Sequence, residues 1–163
     1  MASPGININF TDFGTDKLHP LGFKAEDANG GVWRYSYNAG AATLAVGKGV
    51  CQHTNGTAFN GSNTVATSLG TTLGTVPTCI GIAAAAVPTL NYCWLQIRGP
   101  NQMALVTDSG VVAGDFLVID GGGTPSYQFD TLAAGEEHAA VGWVTSDDSG
   151  TSQPVYTAYL DIR

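Results

Sequence analysis

The stretch that most constrains this 163-residue chain is residues 92–163, a succession of short apolar runs punctuated by Gly, Pro, Asp and Ser. In order it reads Tyr-Cys-Trp-Leu-Gln-Ile-Arg-Gly-Pro, Met-Ala-Leu-Val-Thr, Val-Val-Ala-Gly-Asp-Phe-Leu-Val-Ile-Asp, Ala-Val-Gly-Trp-Val-Thr and Val-Tyr-Thr-Ala-Tyr-Leu-Asp-Ile-Arg. Short runs rich in β-branched and aromatic residues, bounded by turn formers, are strand signals. Such a stretch builds a small barrel or sandwich that offers a surface, and it carries almost no chemical equipment.

The rest of the composition agrees. The chain has 22 glycines and only 12% charged residues, which favours strands and turns over amphipathic helices. Its length fits one domain with a sizeable core. The formal charge is −7, with six Lys and Arg against thirteen Asp and Glu, and no cationic cluster exists to follow a phosphate backbone. Nucleic acid is therefore not an expected partner, and an acidic surface suits a soluble chain or a basic partner. The start, Met-Ala-Ser-Pro-Gly, lacks the basic and apolar regions of a signal peptide, and no apolar run is long enough to span a bilayer, so no membrane association is expected. Cys51, Cys79 and Cys93 form no close pairing motif and read as buried thiols of a chain made in a reducing cytosol, with a single bridge plus one thiol as the alternative.

Along the chain, residues 1–30 read as an extended N-terminal arm. Ile6, Ile8 and Phe10 alternate with Asn7, Asn9 and Thr11, the period of a half-buried strand, before breaks at Gly14, Pro20 and Gly22. The alternatives are a strand that adds to a neighbour's sheet edge and an ordinary first strand of the chain's own sheet. Residues 31–163 form one compact β domain. A strand is predicted over residues 32–37, with Trp33, Tyr35 and Tyr37 on one face, and a second apolar stretch over residues 42–52 is broken at Gly47-Lys48-Gly49. Residues 53–78 are rich in Thr, Asn, Ser and Gly and read as a long polar loop with at most one short helix. Further strands are expected over residues 79–86, 92–98, 103–107, 116–119, 139–145 and 155–162. Gly99-Pro100-Asn101 is read as the turn of a hairpin, and residues 116–119 as a strand buried on both faces. A faint internal echo links Leu44-Ala45-Val46-Gly47-Lys48-Gly49-Val50 with Val111-Val112-Ala113-Gly114-Asp115-Phe116-Leu117, each a Gly turn that feeds a strand.

Chemical signatures are missing. Gly47-Lys48-Gly49 lacks the earlier Gly and the hydroxyl residue of a phosphate loop, and Gly121-Gly122-Gly123 does not complete a dinucleotide fingerprint. There is no Gly-x-Ser-x-Gly elbow, and His19, His53 and His138 stand outside any metal-ligand spacing. Asp147-Asp148-Ser149-Gly150 reads as an ordinary turn rather than a calcium loop. No catalytic residue, no metal ligand and no cofactor site is assigned, and the chain is not expected to be an enzyme. Trp33, Tyr35, Trp94 and Trp143 suit a core, a protein interface or a sugar-stacking platform.

The same segments resemble the capsid decoration, or cement, proteins of tailed bacteriophages, the lambda-type head-stabilising proteins. The resemblance is carried by Tyr92-Cys93-Trp94-Leu95-Gln96-Ile97-Arg98-Gly99, by residues 108–117, by Val141-Gly142-Trp143-Val144 and by the closing Val-Tyr-Thr-Ala-Tyr-Leu; Trp33-Arg34-Tyr35 and Ala45-Val46-Gly47 look like the front half of such proteins. It implies an all-β fold, a small β-barrel or β-tulip with an N-terminal arm, elaborated here by the insert at residues 53–78. It also implies a homotrimer on the outer surface of the phage head that locks major capsid proteins together. On that basis Ile6, Ile8 and Phe10 are expected to form a capsid-contact arm, and Trp33, Tyr35 and Trp94 are candidate interface aromatics. Another virion part, such as a head-fibre base, a tail component or a receptor-contacting module, and a carbohydrate-binding β domain are the alternatives.

Overall fold

The computed structural model describes residues 8–52, 60–62, 79–105, 112–119, 129–131, 141–145 and 155–162. Within them lie eleven strands: β1 (Phe13–Gly14), β2 (Lys24–Glu26), β3 (Val32–Asn38), β4 (Gly49–Gln52), β5 (Asn60–Ser62), β6 (Cys79–Ala83), β7 (Tyr92–Leu105), β8 (Phe116–Ile119), β9 (Phe129–Thr131), β10 (Gly142–Val144) and β11 (Val155–Asp161). The described residues contain no helix, and no helix among them is long and apolar enough to cross a membrane. The strands join one sheet in the order β2-β3-β5-β4-β6-β7-β11-β10-β8-β9, with β1 beside β7. Pairing is antiparallel except between β3 and β5. Because β3 also pairs with β7, the run from β3 to β7 folds back on itself, while β11, β10, β8 and β9 extend as a wing. The all-β expectation is met; among the described residues β3, β5, β4, β6 and β7 hydrogen-bond in a ring, while the wing strands leave the sheet as a whole open.

The echo between residues 44–50 and 111–117 marks a larger repeat. β5-β4-β6-β7 and β9-β8-β10-β11 have the same strand order. Gly49↔Ile82 and Val50↔Gly81 in the first unit correspond to Phe116↔Trp143 and Leu117↔Gly142 in the second. The sequences follow suit: Ile80-Gly81-Ile82-Ala83 matches Val141-Gly142-Trp143-Val144, and Trp94-Leu95-Gln96-Ile97-Arg98 matches Tyr159-Leu160-Asp161-Ile162-Arg163. The entry turns are also alike. Lys48 N–H donates to Ala45 O at 3.4 Å and Asp115 N–H to Val112 O at 3.1 Å. The intervening Gly47 (φ 76°) and Gly114 (φ 101°) occupy the left-handed position that such a turn reserves for glycine. Each glycine N–H then anchors to the neighbouring strand, Gly47 on Ala83 O at 3.2 Å and Gly114 on Val144 O at 2.9 Å.

β7 is the spine. Gly99-Pro100 does not turn the chain into a hairpin; β7 runs through it, leaving β3 and continuing along β11. Gly99 makes this crossing possible, since its φ of 92° is left-handed and a Cβ there would sit 2.5 Å from Gly30 O. Alternation along β3 and β7 separates two layers. Cys93 and Leu95 point into an aliphatic core with Leu44, Val50, Ile80, Ala83 and Val87. Ile97 belongs to a second core with Cys79, Ile82, Leu117, Val141, Val144, Ala158, Leu160 and Ile162. On the opposite face Trp33, Tyr35 and Trp94 build an aromatic layer.

Residues 8–30 close that aromatic layer. Phe10 stacks on Trp33 at 4.9 Å and meets Trp94 edge-on at 5.4 Å, and His19 lies between Phe23, Tyr35 and Trp94. Leu18 N–H donates to the Tyr35 hydroxyl at 3.1 Å, and β1 and β2 hydrogen-bond to β7 and β3. Burial raises the Tyr35 pKa, partly offset by that Leu18 bond. Asn38, fully buried, pins the far end of β3: its Nδ2 donates to Ala42 O, Val87 O and Pro88 O at 3.0–3.1 Å, and its Oδ1 accepts from Gly40 N–H at 3.0 Å.

Candidate interaction surface

The wing has two unlike faces because its strands alternate. Leu117, Gly142, Val144, Ala158 and Leu160 are buried, and all but Gly142 belong to the second core. The residues between them, Phe116 (53% exposed), Trp143 (38%) and Tyr159, face outward. Register aligns them: Phe116 opposes Trp143, Trp143 opposes Tyr159, and Tyr159 opposes the exposed Pro100 of β7. At about 4.8 Å per strand, this row across four strands is roughly 15 Å long. Trp143 and Tyr159 are stacked at 4.6 Å with an interplanar angle of 18°. Two residues further along, Arg98 opposes Asp161, which places a charged pair beside the apolar row.

Local chemistry fixes the row in place. Asp115 Oδ2 accepts from Val112 N–H at 2.9 Å, closing the turn ahead of Phe116. Val144 N–H donates to Asp115 O at 2.8 Å, which ties that turn to β10. The internal repeat shows why the row is unusual. The counterpart of Trp143 in the first unit is Ile82, fully buried in the second core, and the counterpart of Phe116 is the buried Gly49. At these two positions the first unit is buried, whereas Phe116 and Trp143 in the second are exposed. An exposed aromatic strip of this kind is suited to docking protein.

Of the aromatics singled out in the sequence, Trp143 lies in this row and the others lie elsewhere. Trp33, Tyr35 and Trp94 are 7%, 3% and 4% exposed, inside the aromatic layer rather than on a surface. Ile8 and Phe10 pack against that layer, so at these two positions the chain covers its own domain instead of reaching outward. Ile6 lies outside the described residues, as do most of residues 53–78, His138 and Asp147-Asp148. The pattern of residues 116–119 predicts burial on both faces, but Phe116 is 53% exposed, because none of the described residues packs over its side of β8. Alternation in Gly142-Trp143-Val144 and in Ala158-Tyr159-Leu160 was the available signal for the row.

Ionisable groups are few and structural. Burial works to raise the Asp27 pKa, but three hydrogen bonds outweigh it and hold the carboxylate below its ordinary range. These come from Trp33 Nε1–H at 2.7 Å, Asn29 N–H at 2.8 Å and Gly31 N–H at 2.9 Å. Burial lowers the pKa of Arg34, and attraction to Cys79 opposes that shift. Burial pushes the Cys93 thiol up to about 12. Among the described residues no cluster of His, Cys, Asp and Glu is placed to hold a metal ion. Comparison of the chain with protein-family models and with curated proteins returns no match.

Proposed function

We propose that this chain is a structural protein of the tailed-phage head. In this reading it is a capsid decoration protein that binds the outside of the mature shell as a homotrimer and reinforces contacts between major capsid proteins. The observation that carries the reading is the uncovered aromatic row Phe116–Trp143–Tyr159–Pro100, on the strands that also carry the family resemblance. A shell under internal pressure gains from added subunit contacts and needs no catalysis. Three copies around a three-fold axis would multiply weak contacts through avidity. Quantitative mass spectrometry of particles tests the role. About one copy per major capsid protein is expected; a handful per particle would move the chain to a vertex, fibre or tail, and absence from particles would overturn the reading.

The same row favours a second reading, a carbohydrate-binding domain, because sugars stack on aromatic faces. The stacking of Trp143 on Tyr159 weighs against it, since one face of each ring is already occupied. Binding on a glycan array that Trp143→Ala abolishes would decide for it.

A further inference from the structure

The antiparallel register of β4 and β6 sets Cys51 directly opposite Cys79. From this register we infer that Cys51 and Cys79 are a redox pair, a cross-strand disulfide that forms when the chain meets a low-molecular-weight disulfide and opens again in excess thiol.

Three observations lead there. Directly opposed residues of an antiparallel pair share a face and have Cα atoms about 4.5–5.5 Å apart, inside the span of about 4.4–6.8 Å that a disulfide bridges without backbone movement. The pairing shifts by one residue just before this point, with Val50 opposite Gly81 and Cys51 opposite Cys79, so Ile80 is the extra residue of a bulge. The bulge decides the facing: Ile80 joins the core that holds Val50, whereas Cys79 joins the other one. Without the extra residue, Cys51 would oppose Ile80. Finally, the Arg34 guanidinium and Cys79 attract each other, and a cation near a thiol works against the burial that favours the neutral form, toward the thiolate that carries out disulfide exchange. Cys93 is different: it lies in the first core, where burial pushes its thiol up to about 12 and keeps it in the unreactive neutral form.

The exchange balances in two steps. The Cys79 thiolate attacks one sulfur of glutathione disulfide, forming a mixed disulfide and releasing one glutathione thiolate. The Cys51 thiolate then attacks the Cys79 sulfur, closing the cross-strand bond and releasing the second glutathione. The chain gives up two electrons and two protons, and the oxidant becomes two thiols. The bond would join the two ends of the segment that spans residues 52–78. It would restrict the unfolded chain and raise the melting temperature by about 10 °C.

The test equilibrates the full-length chain in glutathione redox buffers, starting both from folded protein and from reduced, denatured protein, so that access to a buried thiol does not limit the result. Free thiols are then alkylated and the chain is digested without reduction. All three cysteines lie between Lys48 and Arg98 with no Lys or Arg among them, so chymotrypsin, cutting at Phe59, Leu69 and Tyr92, replaces trypsin. The expected result is one linked peptide pair holding Cys51 and Cys79, an alkylated Cys93, and a higher melting temperature that Cys51→Ser cancels and Cys93→Ser keeps. Three alkylated cysteines at every buffer ratio, a bond to Cys93, or a disulfide between two chains would each overturn the assignment. The chemical map of the wild-type chain suffices even if a serine variant fails to fold.

Discussion

Phe116 and Leu117 are adjacent in β8, yet they should fail in different assays when truncated. Leu117 is fully buried among Ile82, Val144 and Leu160, so Leu117→Ala removes a core side chain and leaves a cavity. The expected loss is about 3 kcal/mol of stability, a fall in melting temperature of roughly 10 °C. Phe116 keeps 53% of its surface in water, so Phe116→Ala should cost about 1 kcal/mol or less. Its cost should appear in binding. If the exposed part of the ring, ~100 Å² of a side chain of ~200 Å², is covered on docking, about 2.5 kcal/mol of contact energy is lost, roughly a 70-fold weaker Kd. Co-sedimentation of each variant with phage shells stripped of decoration protein measures the binding, and thermal unfolding measures the stability. Leu117→Ala should bind normally at temperatures where it is folded. Equal destabilisation by the two substitutions would refute the two-faced wing. Normal shell binding by Phe116→Ala would refute the aromatic row as the contact surface.

Other positions test the scaffold. Asn38→Ala strips donors from Ala42 O, Val87 O and Pro88 O and should lower stability by about 3 kcal/mol in urea unfolding; a loss below about 1 kcal/mol would mean these carbonyls find other partners. Gly99→Ala, which places a Cβ against the Gly30 carbonyl, should cost about 3 kcal/mol, whereas Gly114→Ala, with a comparable φ but open space, should cost about 1 kcal/mol. Equal costs would show that the close approach of Gly99 is unimportant. For Asp27 the folded pKa lies below the unfolded one, so its contribution is complete above the ordinary carboxylate value and fades as pH falls through the folded value. Asp27→Asn should therefore flatten the stability profile below about pH 4, and identical acid limbs for the two proteins would contradict the role of the Trp33 and Gly31 bonds. Deleting residues 1–12 removes Phe10 from Trp33 and Trp94 and should destabilise the domain by about 2 kcal/mol; an unchanged melting temperature would mean that the segment does not cover the aromatic layer.

Local pattern set the strands. The alternation of Cys93, Leu95 and Ile97 against Tyr92, Trp94 and Gln96 was legible because a strand repeats every second residue, and β3 and β7 keep that phase. The echo around Gly47 and Gly114 was legible too, because turn geometry is local and restricts which residues fit. Pairing was not legible. Gly99-Pro100 has the composition of a turn, but whether the chain turns or bends depends on Gly30 and on β11, both remote in sequence. The aromatic residues show the same division. Period two places Trp33, Tyr35 and Trp94 on one face, and Trp143 and Tyr159 each on a face opposite to buried neighbours. Which of those faces is covered depends on what folds over it. Residues 8–30 cover the first, and among the described residues none covers the second. The sequence by itself determined strands such as β3, β6 and the first part of β7, their phase and the turns at Gly47 and Gly114, since these follow from interactions among close neighbours. The tertiary structure alone decided that Cys51 is paired in register with Cys79 and that Phe116 and Trp143 stay exposed, because burial and register come from contacts between segments far apart in the chain.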